Sequence, residues 1–229
     1  LTRPEGVEKL VVTEQEAKQI VERDAFQVLL AQDRATNGDD PNSTSILNDK
    51  NADRGYNAFW VDTGSQLAQV KGEYRTSWIV DPPSGSIPYK PGVVPAYMKL
   101  DPENFNDPEV RDLAERCLMS FTGSAGPVML NGMYNNSYQI VQSPTSVVIN
   151  VEMNHDARII PIVSSAKEAR FGPEVIKKWA GDSVGWYEGD SLIVETRNPN
   201  PLQGALIGNR GVVTERFTRW SDQQILYSF

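Results

Sequence analysis

Between residues 137 and 229 the chain alternates apolar and polar positions, whereas its first long patterned stretch repeats apolar residues at intervals of three and four. The two periods predict different elements, because successive strand side chains face opposite ways and helical ones return to one face about every 3.6 residues. In "TEQEAKQIVERDAFQVLLAQ" the residues Ala17, Val21, Ala25, Val28 and Leu29 make an apolar stripe that predicts a helix over about 14–32. Its start is marked by Thr13 with Glu16 three positions on, the reciprocal pair of a capping box. The following "DRATNGDDPNSTSILNDKNADRG" has no apolar period and reads as a solvated connection.

Past residue 55 the pattern becomes one of short aromatic and β-branched runs broken by Pro, Gly and Asp, as in "YNAFWVDTG" and "YRTSWIVDPPSGSIPY". "DPPSG" is a turn by its chemistry, with two prolines and the permissive Gly85. "NDPEVRDLAERCLM" predicts a helix of two or three turns, with Asp107 as N-cap and Pro108 in the first position. A glycine-rich loop, "SFTGSAGPVMLNGMYNN", comes next. Then "YQIVQ", "SVVINVEM" and "ARIIPIV" predict three strands in succession, "SVGWY" and "SLIVETR" a hairpin around "EGD", and "VVTERFTRW" and "ILYSF" another across "SDQQ". With no crossover long enough for parallel pairing, the expected fold is mainly β. It is an antiparallel β-barrel or curved sheet, lipocalin-like in outline, with an N-terminal helix and one or two short helices. The expected division is an N-terminal helix and polar connection over 1–55 and one β-rich domain over 56–229.

Composition narrows the function. Thirty acidic and 22 basic side chains give a net charge of −8, and no cluster of Lys and Arg with aromatics offers a surface for nucleic acid. No apolar run reaches the roughly 18 residues of a membrane helix. One cysteine, Cys117, rules out an intramolecular disulfide and a cysteine-rich zinc site, and one histidine rules out a histidine-rich metal centre. Nucleotide-cradling glycine loops, a GxSxG elbow, HExxH and CxxC are all missing from the sequence, so no organic cofactor or metal is expected. The chain begins "LTRPEGVEKL" without a signal peptide and stops at Phe229 within a predicted strand, so a trimmed start and further C-terminal residues are expected.

The histidine stands in "VEMNHDARII". An imidazole exchanges protons near neutral pH, so His155, oriented by Asp156 or Glu152, makes a minimal general acid/base set; a turn histidine bonded to backbone is the ordinary alternative. Alternation puts Val147, Ile149, Val151 and Met153 on a core face of "SVVINVEMN" and Val148, Asn150, Glu152 and Asn154 on a polar one that either meets water or lines a pocket. Tyr134, Asn136 and Tyr138 of "GMYNNSYQ" are neutral donors and acceptors suited to a hydroxylated or carbonyl-bearing ligand, or equally turn formers. Arg158 is a candidate for positioning substrate. Most of the five tryptophans belong in a core, and one or two would wall a pocket, Trp186 among them. The same count aligns Glu215, Phe217 and Arg219 on one face of "VVTERFTR" and Thr214, Arg216 and Thr218 on the other; exposed Glu–Arg pairs across strands are the ordinary explanation of such charges.

Taken together, "YRTSWIVDPPSGSIP", "YNNSYQIVQ", "EMNHDARIIP", "WAGDSVGWYEGDSLIVET" and "ERFTR" make the chain resemble a large family of uncharacterised bacterial proteins, many of them exported. The resemblance runs from about residue 56 to the end and implies a periplasmic or secreted protein that continues past Phe229. The chain departs from it at "GWYEGDS" and "RNPNPLQG". The expected function is small-molecule binding by a β-barrel acting as a cofactor-independent lyase, isomerase, cyclase or hydrolase. The alternatives are a non-catalytic carrier of an apolar or phenolic ligand and an assembly module. Self-association stays open.

Overall fold

The structure, a computed structural model, describes residues 3–24, 66–90, 106–111, 113, 115–119, 126–131, 135–200 and 211–229. The chain divides into two compact units, Leu1–Val93 and Val94–Phe229, a later boundary than the change of sequence pattern at residue 55.

In the first unit the capping box forms as its residues dictate. The Thr13 N–H donates to Glu16 Oε2 at 2.8 Å and the Glu16 N–H to Thr13 Oγ1 at 3.2 Å, opening helix α1 (Glu14–Glu22). The side-chain bond from Lys9, with the two from Thr13, holds the Glu16 carboxyl down at about 2. The predicted extension of the helix toward residue 32 lies outside the described residues beyond Asp24. Strands β1 (Val11–Val12), β2 (Gln69–Val70) and β3 (Glu73–Arg75) form an antiparallel sheet in the order β1-β3-β2. The "DPPSG" turn closes with the Gly85 N–H on Pro82 O at 2.9 Å. Gly85 has φ +69°, a left-handed backbone that favours glycine, and a Cβ there would press at 3.2 Å on Arg3 Nε and Ser77 Oγ. "YNAFWVDTG" lies outside the described residues.

The second unit holds every hairpin that the alternation predicted. Strands β4 (Tyr138–Gln142), β5 (Ser146–Val151) and β6 (Ala157–Pro161) form one antiparallel sheet, and β7 (Asp182–Glu188), β8 (Ser191–Arg197), β9 (Val213–Arg219) and β10 (Ile225–Ser228) another, in the order β10-β9-β8-β7. The two meet along β6 and β7: Ile162 bridges Gly185 in parallel, and the Val163 N–H donates to Gly185 O at 2.9 Å. Glycine eases this approach: a Cβ on residue 185 would lie 2.9 Å from Ile162 Cδ1, 3.1 Å from Ile160 Cγ2 and 3.3 Å from Ile193 O, so the packed isoleucines would have to shift. One apolar core, made by Val147, Ile149 and Ile160 of the first sheet and Leu192, Val194 and Phe217 of the second, is shared by the two inner faces. Burying a side chain of this size stabilises by about 1.5–3 kcal/mol. Among the described residues no strand links β4 to β10, and no closed barrel is formed. The helix predicted after Asp107 is a single tight turn at Pro108–Val110 without a side-chain cap from Asp107. Among the described residues no helix is long and apolar enough to cross a membrane.

Candidate functional site

Register fixes which way each candidate side chain points. In β5 the buried residues are Val147, Ile149 and Val151, so Asn150, opposite Gln139 and Ala157, stands on the outer face. Glu152, Asn154 and His155 follow it and are exposed. The polar row of "SVVINVEMN" therefore faces away from the core shared by the two sheets. Glu152 braces the preceding loop, accepting the Ser137 N–H on Oε2 at 3.3 Å. Asn154 and His155 both take left-handed backbone, at φ 55° and 54°, and the Asp156 N–H closes the turn on Met153 O at 3.2 Å. Two consecutive left-handed residues are the mark of mirror-image hairpin turns, whose twist suits the sheet; asparagine tolerates the first position, and the second usually goes to glycine. Among the described residues no side-chain hydrogen bond or ion pair engages the His155 imidazole.

Three positions further on, the geometry is the opposite. Arg158 lies beside Ile149 on the inner face, its side chain 1% exposed against 0% for Glu215 of β9. Arg158 Nη1 donates to Glu215 Oε1 at 3.0 Å and Nη2 to Glu215 Oε2, a bidentate fork, and Nη2 also reaches Thr196 Oγ1 at 3.4 Å. The Tyr227 hydroxyl of β10 donates to Glu215 Oε1 at 2.8 Å and accepts the Met129 N–H at 3.0 Å. Burial, reinforced by the adjacent Glu215 carboxylate, pushes the Tyr227 phenol well above its ordinary range. Thr196 passes the network to Ser183 Oγ at 2.8 Å. Residues 126–131 lie against this network: a Cβ on Gly126 would come within 2.4 Å of Arg158 Nη1. In this network carboxylate, guanidinium, phenol and hydroxyl complement one another, which offsets the costly desolvation of each charge.

The wall containing Arg158 opens onto a cleft of about 540 Å³, formed upstream of the Ile162–Gly185 bridge where residues 156–161 and 178–183 face each other. Asp156, Arg158, Lys178, Asp182 and Ser183 supply its polar groups, and Met119, Trp179 and Pro161 much of its apolar wall. Lys178 Nζ pairs with Asp182 Oδ1 at 2.6 Å. Burial works against the Asp182 carboxylate, but the bonds from Lys178 and the Gly172 N–H win and hold its pKa below the usual value. Asp156 and Arg158 are thus the two predicted residues brought together at one cleft.

The other predicted residues lie elsewhere. Tyr138 is half-buried against the core, its hydroxyl 3.5 Å from Leu130 O, and burial raises its pKa. Asn136 is partly buried in the preceding loop. Trp186 pairs with Ile193 on the outer face, buried there with Nε1 on Glu188 at 3.0 Å, away from Arg158. Tyr134 lies outside the described residues. Glu215, Tyr227, Thr196, Lys178, Trp179 and Asp182 were missed as candidates. One signal was present for Glu215, a carboxylate in phase with the core residue Phe217. Among the described residues no group of three or more His, Cys, Asp and Glu is placed to hold a metal. Set against known proteins, the chain matches no family model, no curated protein and no solved structure.

Proposed function

We propose that the chain is a small-molecule-binding protein whose seven C-terminal strands act as an incomplete barrel, with its ligand in the cleft beside Arg158. One observation carries this: a cleft of ligand size, about 540 Å³, joins a partly buried tryptophan to hydrogen-bonding groups anchored in the buried Arg158–Glu215 pair. Glu215 already neutralises Arg158, and Asp182 pairs with Lys178, so the cleft holds no surplus of positive charge, which favours a neutral, hydroxyl- or carbonyl-bearing molecule over a bare anion. Ligand-observed NMR over a set of neutral phenols and hydroxyketones tests it. Binders below about 1 mM that are lost in Trp179→Ala and weakened in Asp182→Asn are expected; binding indifferent to both substitutions overturns the assignment.

A second reading, a cofactor-free acid/base enzyme, draws on one detail. His155 keeps a left-handed backbone at a position where glycine would be unstrained, and it adjoins Asp156 in the cleft. In that reading His155 and Asp156 exchange a proton with bound substrate at the rim, and Glu152 holds the turn. Undiminished turnover of an identified substrate by His155→Gln would remove it.

A further inference from the structure

A second cleft lies between β4 and β5 on one side and the ends of β7–β10 on the other, with a volume of about 430 Å³. Its floor is the edge of the shared core: Leu192 and Phe217 are each 7% exposed there, with the fully buried Val147 and Ile149 packed directly behind them. Such residues ordinarily finish a core by covering one another, so a cleft that reaches them offers an apolar body a surface already shaped. The two edge strands supply walls, Ile140 from β4 and Ile225 from β10, 37% and 55% exposed. Across the mouth Gln142 Nε2 donates to the Tyr187 hydroxyl at 2.7 Å.

The rim decides the chemistry of the occupant. Arg219 is its one cation; Asp222 accepts from it at 3.1 Å, and Asp190 adds a second carboxylate. That surplus of negative charge opposes a carboxylate or sulfonate head. The amides of Gln142, Gln223 and Gln224, each both donor and acceptor, suit a neutral polar group instead. None of these residues belongs to the cleft beside Arg158.

We infer that this cleft is a binding site for a neutral amphipathic molecule, an aromatic or aliphatic body bearing a hydroxyl or carbonyl group. The body lies on Leu192 and Phe217, and its polar group meets the glutamine rim. Isotope-labelled methyl NMR, with 2-naphthol as probe and 2-naphthoate as its charged counterpart, tests this on the whole chain. Saturable shifts confined to the methyls of Ile140, Val147, Ile149, Leu192 and Ile225 are expected with 2-naphthol, with 2-naphthoate at least about tenfold weaker. Ile225→Lys and Ile140→Lys alter half-exposed walls rather than the core, and each should weaken 2-naphthol at least about tenfold while leaving the unfolding midpoint in place. Equal or tighter binding of 2-naphthoate overturns the inference, as do shifts at Met119 in the other cleft or no saturation below about 1 mM. A dimer in sedimentation that dissociates on adding 2-naphthol, or in Ile225→Lys, would assign the cleft to a second copy of the chain and overturn it too.

Discussion

His155 and Arg158 are three residues apart, yet one is exposed on a hairpin turn and the other is the most deeply buried cation of the β-rich unit's described residues. By residue type their prospects are reversed: an arginine is rarely buried whole, and a lone histidine beside carboxylates invites a catalytic reading. Strand phase decides between them. Arg158 shares the inner face with Ile160 and so must bring a partner, which Glu215 supplies from β9 of the other sheet. His155 falls in the turn, where no phase applies. Arg158 therefore serves stability through Glu215 whatever else it does, while His155 is held in its turn at a cost in backbone strain.

Removing one member of the buried pair is the strongest way to break this contrast. Glu215→Leu leaves the Arg158 guanidinium buried and uncompensated, and about 3–5 kcal/mol of unfolding free energy should be lost in denaturant titration. Arg158→Met together with Glu215→Leu should recover most of it, because an apolar pair needs no desolvation. If the double variant is as unstable as the single one, the pair is held by something other than mutual neutralisation. Tyr227→Phe comes next. It removes the donor to Glu215 and leaves the Met129 N–H without its acceptor, a loss of about 1–3 kcal/mol.

Asp182 tests the rim, intermediate between the two regions. Its folded pKa lies below 3.8, so its contribution is present above the unfolded value and fades as pH falls through the folded one. The stability gap between the natural chain and Asp182→Asn should be constant above about pH 5 and narrow steadily below it. A gap that widens on acidification would contradict the bonds from Lys178 and Gly172.

What could be read beforehand follows from the same physics. Every C-terminal hairpin was legible because alternation and turn chemistry are local, and so was the capping box, whose partners are three residues apart. The orientation of the row through Asn150 and Glu152 was not, since alternation states that two faces differ without saying which one meets a second sheet. Arg158–Glu215 escaped because it joins residues 57 apart through the inner face. Trp179 and Lys178 escaped because their cleft exists only where residues 156–161 and 178–183 part company upstream of the Ile162–Gly185 bridge.

The smallest expected effect sharpens the contrast from the other end. A non-glycine residue in left-handed backbone costs roughly 1–2 kcal/mol, and glycine there removes the strain while adding freedom to the unfolded chain. His155→Gly should therefore leave the unfolding free energy unchanged or raise it by up to about 1 kcal/mol, while His155→Ala, which keeps the strain, should stay within about 0.5 kcal/mol of the natural chain. A loss beyond 1 kcal/mol in both would mean that the imidazole packs or bonds in a way its exposure denies. If His155→Gly is the more stable protein yet fails on a ligand that the natural chain handles, the histidine is kept against stability for the sake of the cleft beside Asp156. If it is more stable and performs equally, His155 only fills a turn, and the chemistry of this protein has to be sought on the inner face with Arg158.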